Sequence, residues 1–182
     1  MSNTTKMLGG WGWVAALVLA LIPGLHILSL AGAVCVFIAM FRAGRELNRP
    51  QVNQPLILTL VLSLVAGVVF MFFVGASLIG LMLHHDSAAG AVGFGAGMMV
   101  GGLVAWACYI AGAWFWYQAC TTIAEAGNAP LLKTGGLLGF IGAITVIVFG
   151  LGGLVALVGS VLQAIAFFNA PEGRAGAPPT TA

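Results

Sequence analysis

Charge is what this sequence has least of. Six lysines and arginines and four aspartates and glutamates serve 182 residues, 5% of the chain, where soluble domains carry roughly 25%. Hydrophobic residues make up 61% and mean hydropathy is +1.11. A water-soluble globule is excluded, because too little polar surface exists to cover such a core. The formal net charge of +2 also lacks the basic footprint of a nucleic-acid binder. Cysteine is scarce as well. Cys35, Cys108 and Cys120 lie in or beside apolar stretches, show no CxxC spacing and are odd in number. They read as buried free thiols rather than a disulfide framework.

Asp, Glu, Lys, Arg and His are missing from the middle of every apolar stretch. Such groups at membrane depth mark proton relays, ion pathways and coupled transporters. Their absence argues against proton-driven transport, and it leaves no acid–base pair or metal-ligand helix for intramembrane hydrolysis. No catalytic, cofactor-binding or metal-binding residue is expected, and no enzyme.

What the chain does have is apolar length and small residues. The stretch from Ala89 to Tyr117 is uncharged and carries a small residue at every fourth position: Ala89, Gly93, Gly97, Gly101 and Ala105. It exceeds the roughly 20 residues needed to cross a bilayer. A small-xxx-small ridge lets a neighbouring helix approach closely where apolar side chains gain little by leaving lipid. Gly93, Gly97, Gly101 and Ala105 are therefore the expected helix-packing residues of a central helix over about 88–119. Ser87 is available as its cap.

Residues 1–6 read as a polar tail. They resemble the start of a signal peptide, but no A-x-A-like cleavage site follows, so an uncleaved first span is expected. Residues 9–42 are broken by Pro23-Gly24 into a hairpin, since proline removes a donor and restricts its predecessor. Its arms, 9–22 and 26–42, are roughly 21 and 25 Å long, short against a core of about 30 Å. A polar loop with Arg42, Arg45, Glu46 and Arg49 leads to a long helix over about 56–83, with Pro55 in its first turn. Residues 121–130 read as a loop, 134–168 as a second short hairpin broken at 150–153, and 170–182 as a disordered tail. The expected fold is an all-α integral membrane protein, a bundle of four to six transmembrane segments forming one domain over 7–169. Two short hairpins flank two long helices.

The two hairpins look related. Gly9-Gly10 matches Gly135-Gly136, and after a one-residue shift Gly32, Ile38, Ala39 and Phe41 match Gly159, Ile165, Ala166 and Phe168. With six segments, Lys6, Arg42, Arg45, Arg49, Lys133 and Arg174 all fall on one side. The positive-inside rule then predicts a multi-pass cell-membrane protein with both termini cytoplasmic.

The run from Trp116 to Phe168, with IAEAGNAPLLKTGGLLGFIGAITVIVFG and the closing VLQAIAFF, resembles a prokaryotic family of small integral membrane proteins known as domain of unknown function 996. Its members similarly pair an N-terminal Gly-Gly hairpin broken at proline with a final hairpin that opens on a Thr-Gly-Leu-Leu-like motif and ends in Ala-Phe-Phe. The resemblance covers about residues 7–169, most specifically 121–168. It implies an all-helical, multi-spanning membrane protein and brings no established activity, ligand or catalytic residue.

Three polar or aromatic groups remain. His84, His85 and Asp86 form an outer polar cluster, with His26 expected on the same face. Imidazoles with a carboxylate suit a borderline metal, but adjacent histidines in a short loop point apart, and a solvated helix stop is the preferred reading. Trp106 and Tyr109 lie on one face near the middle of the central helix, either lining a pocket between helices or packing as ordinary aromatics, which is preferred. Trp11, Trp13 and the run from Trp114 to Tyr117 read as headgroup-level anchors. The expected function is a non-enzymatic scaffold, accessory subunit or membrane-organising protein. Its partners are the lipid bilayer and, through small-residue ridges, itself or another membrane protein. A passive channel or small-solute facilitator is the alternative.

Overall fold

The computed structural model describes residues 1–22, 26–83, 88–146 and 151–171, and every regular element among them is helical. Six α-helices follow one another: α1 (Asn3–Leu21), α2 (His26–Glu46), α3 (Asn53–Leu83), α4 (Ala88–Gly127), α5 (Pro130–Thr145) and α6 (Leu151–Asn169), with a short 3-10 turn at Pro50–Val52. Among the described residues, three stretches are long and apolar enough to cross a membrane: Pro50–Gly80, Gly93–Gly127 and Leu151–Asn169.

Several helix ends differ from the sequence reading. The polar start of the chain is not a tail. Ser2 caps α1, its Oγ accepting from Thr5 N at 3.3 Å, and Thr5 is buried. With 19 and 21 residues, α1 and α2 are roughly 28 and 31 Å long, close to the bilayer core rather than short of it. The loop expected over 121–130 is helical as far as Gly127. Thr121 and Thr122 turn their hydroxyls back to the carbonyls of Tyr117 and Gln118 (2.9 and 3.0 Å), and Ile123 and Ala124 are buried. Residues 172–182, read as a tail, lie outside the described residues, whereas Ala170 is packed in the core.

Two turns are built alike. Asn48 and Asn128 adopt left-handed φ values of 52° and 51°. The next amide reaches back in each case, Arg49 N to Gly44 O at 2.8 Å and Ala129 N to Ala124 O at 3.0 Å. This is the Schellman end of a helix with asparagine in the glycine role. Pro50 and Pro130 then open the next helical segment, where a missing N–H costs nothing.

The chain divides into two compact units, Met1–Ile57 with Ala113–Ala182, and Leu58–Gly112. In the first, the ends of α2, α4 and α6 converge on one core. Equivalent positions recur: Met40, Cys120 and Phe167, each at most 1% exposed, and around them Ala39, Ala119 and Ala166. The helices that follow or close on these ends bury matching residues too, Thr5, Val52 and Leu132, then Gly9, Leu56 and Gly136. Among the described residues three helical hairpins follow one another along the chain, α1–α2, α3–α4 and α5–α6. The register of α2 against α6 (Gly32 with Gly159, Ala39 with Ala166) is the one the sequence shows, whereas Gly9 corresponds to Gly136 rather than Gly135.

Each hairpin crosses at a glycine in its second arm. Gly32 lies against Gly12 and Ala16, Gly112 against Thr59 and Ser63, and Gly159 against Gly135 and Gly139, the last pair one turn nearer the base. The second unit, Leu58–Gly112, is the elongated part of the middle hairpin. Thr59 Oγ1 donates to Gly112 O at 3.1 Å, and further along Gly97 and Gly101 accept Ser77 and Phe73 of α3.

Candidate functional site

The polar interior lies just beyond the Met40–Cys120–Phe167 layer. Gln163, 2% exposed, accepts from Trp116 Nε1 at 3.0 Å and from the Cys120 thiol at 3.9 Å through the same Oε1. The Trp116 ring packs edge-on against Trp13 (centroids 6.2 Å) and Phe37 (5.2 Å). Trp13 Nε1 is buried without an acceptor among the described residues. The cluster donates and accepts hydrogen bonds; none of its members carries a charge at neutral pH. Because Gln163 is the acceptor for Trp116, Gln163→Leu should strand a buried indole donor. A stability loss of about 1–3 kcal/mol is expected, with a change in tryptophan fluorescence; an unchanged melting point in detergent would show that this bond contributes nothing.

The sequence reading missed this cluster, although a signal for it was present. Residues two apart on a helix point about 200° apart, so Trp11 and Trp13, or Trp114 and Trp116, cannot both face lipid. Trp11 and Trp114 do face outward, at 60% and 43% exposure. Trp13 and Trp116 turn inward, not to the headgroup level. Gln163 is also the one amide in the closing run VLQAIAFF.

At the base, the chain start is tied down. The Glu46 carboxylate accepts from Ser2 N (2.6 Å), Ser2 Oγ (2.5 Å) and Thr5 Oγ1 (2.6 Å). Partial burial pulls its pKa upward, but these hydrogen bonds outweigh that and hold it below the ordinary carboxylate value. Met1 N donates to Pro171 O at 3.3 Å. Lys133 and Glu125 pair at 3.6 Å on the exposed surface, where such a pair adds little.

The expected site residues fare differently. A Cβ added at Gly97 would meet Ser77 of α3, and one at Gly101 would meet Phe73 of the same helix. A side chain at Gly93 would meet open space, and Ala105 is half-buried. Tyr109 is 47% exposed and Trp106 half-buried. His84, His85 and Asp86 lie outside the described residues, as do the side-chain surroundings of His26. Among the described residues, no three His, Cys, Asp or Glu side chains gather as a metal site.

The family model for DUF996, a protein family of unknown function, matches residues 28–161. The chain belongs to this family. The match takes in five of the six helices at least in part, including all of α3, α4 and α5. An uncharacterized protein of Methanocaldococcus jannaschii is 27% identical over 168 residues, covering 92% of each chain. No solved structure matches.

Proposed function

We propose that this membrane protein is a non-enzymatic scaffold or accessory subunit, and that the long middle hairpin is the part offered to a partner. The observation carrying this reading is the exposure of Leu58–Gly112. Val68, Met71, Phe72 and Met99 are 69%, 72%, 70% and 70% exposed. Gly97 and Gly101 lie close against Ser77 and Phe73 of α3, which supports a partner surface elsewhere on the hairpin. The partner surface is therefore assigned to these large outward side chains, with small open positions such as Gly67, Gly75 and Gly102 between them. The basic residues Arg42, Arg45, Arg49 and Lys133 belong to the base of the first unit, which supports a cytoplasmic base and a cell-membrane location by the positive-inside rule.

The test is native mass analysis of the protein extracted gently from its own membrane. A stoichiometric second membrane protein is expected, released when Met71 and Phe72 are both changed to alanine. A chain that emerges alone would sink the scaffold reading. If that lone protein then conducts ions or small solutes in liposomes, a passive channel takes its place.

A further inference from the structure

We infer that the outer face of the first hairpin is a binding site for an anionic phospholipid. A groove of about 710 Å³ runs along α1 and α2, lined by Met7, Trp11, Ala15, Ala31 and Cys35, with Asn3 and Thr4 at one end. The volume falls within the range of small-molecule sites. The groove follows α1 from Asn3 to Leu19, about 24 Å of helix, against a leaflet hydrocarbon depth of about 15 Å. It is therefore long enough to take a whole acyl chain and still reach the headgroup level. Its lining is apolar along that length and polar only at the end of α1 that carries the Ser2 cap.

Charge complementarity says which lipid. Ala31, Cys35, Ile38, Arg42 and Arg45 fall within about 80° of one another around α2, at 100° per residue. The stripe that walls the groove thus continues into two arginines. The helices are antiparallel, with Gly12 beside Cys35 and Ser2 bonded to Glu46. This register sets Arg42 level with the first turns of α1, at the polar end of the groove. Both arginines are exposed, and among the described residues no carboxylate pairs with either. Glu46, the nearest acid in the chain, is turned to Ser2 and Thr5. Guanidinium groups bind phosphate with two parallel hydrogen bonds, and each basic residue near a membrane surface adds roughly fivefold to anionic-lipid affinity. The acyl chain lies against Trp11 and Ala15, and the phosphate sits at Arg42 and Arg45.

Titration of the full-length protein in mild detergent with phosphatidylglycerol or phosphatidylcholine, read by native mass spectrometry, tests this. Wild-type protein should retain phosphatidylglycerol preferentially. The double variant R42A/R45A, altered only at exposed unbonded side chains, should lose at least about tenfold of that binding while its phosphatidylcholine binding stays the same. Ala15→Trp, which fills the groove, should remove both; Met7→Trp, at an exposed position, repeats the test should Ala15→Trp fail to fold. Equal retention of the two lipids overturns the proposal, as does wild-type binding by R42A/R45A. Undiminished lipid binding with the groove filled, or a lipid-free dimer mass showing the face covered by a second copy, overturns it as well.

Discussion

Gly32→Leu should leave almost no folded protein, and Gly32→Ala should already melt far below wild type. A Cβ at Gly32 would lie 2.5 Å from Ala16 N and 2.8 Å from Gly12 O. Both are backbone atoms, so no rotamer change relieves the clash, and the helices must separate. Overpacking costs roughly 1–3 kcal/mol where side chains can yield and more where backbone must move. Against a total stability of about 5–15 kcal/mol, alanine is a heavy loss and leucine a prohibitive one. The control is Gly153→Ala on α6, where an added Cβ meets nothing within 4 Å. There the better helix propensity should leave the protein unchanged or up to about 1 kcal/mol more stable. Thermal unfolding in detergent, followed by size-exclusion of the surviving fraction, separates the two. If Gly32→Ala melts with wild type, the crossing is not held at backbone contact.

Phe167→Ala should have the next largest effect, because it opens the one junction of the three hairpins that has no covalent turn. The Asn-x-Pro turns join α2 to α3 and α4 to α5, but α6 meets α1 without a covalent turn, by packing and the Met1 N to Pro171 O hydrogen bond beside it. There Gly9 sits flat on the Phe167 ring, an added Cβ coming within 2.5–2.7 Å of it, and Phe168 meets Trp11 edge-on at 6.0 Å. Phe167 is 1% exposed, so its removal leaves a cavity in the shared core. Buried Phe→Ala changes cost about 3–5 kcal/mol in soluble proteins. The lower end is expected here, since the transfer part of that cost shrinks when the alternative surroundings are lipid. Phe168→Ala, at a 41% exposed position, should cost much less. Melting temperatures in detergent check the order; equal effects of the two substitutions would mean that the seam has no buried centre.

The repeat shows how far the sequence could be read. The matches of Gly32 with Gly159 and of Ala39 with Ala166 were visible because the outer hairpins have equal length. Twenty-three residues separate Gly9 from Gly32 and Gly136 from Gly159. The third copy was hidden because 56 residues separate Leu56 from Gly112. Direct comparison fails across such an insertion, and only the crossing at Thr59 and Gly112 reveals the correspondence. The turns were legible in part. The loop expected over 121–130 does end in the turn at Asn128 and Pro130, but its first residues are helical, the hydroxyls of Thr121 and Thr122 bonding back into α4.

The sequence by itself determined the class and the segments: a charge-poor, glycine-rich chain whose long apolar stretches can be satisfied only as helices in a bilayer. It also determined that small residues would be the packing surface, because in lipid close backbone approach is what holds helices together. The tertiary structure decided which neighbour each glycine meets, turning Gly97 and Gly101 toward their own hairpin. It also decided which tryptophan of each pair faces inward, bringing Trp116 to Gln163. The physical reason is that nearly every face of these helices is apolar. Periodicity then carries no preference between core and lipid, and only the fit of ring against glycine, and of indole donor against amide oxygen, selects one face.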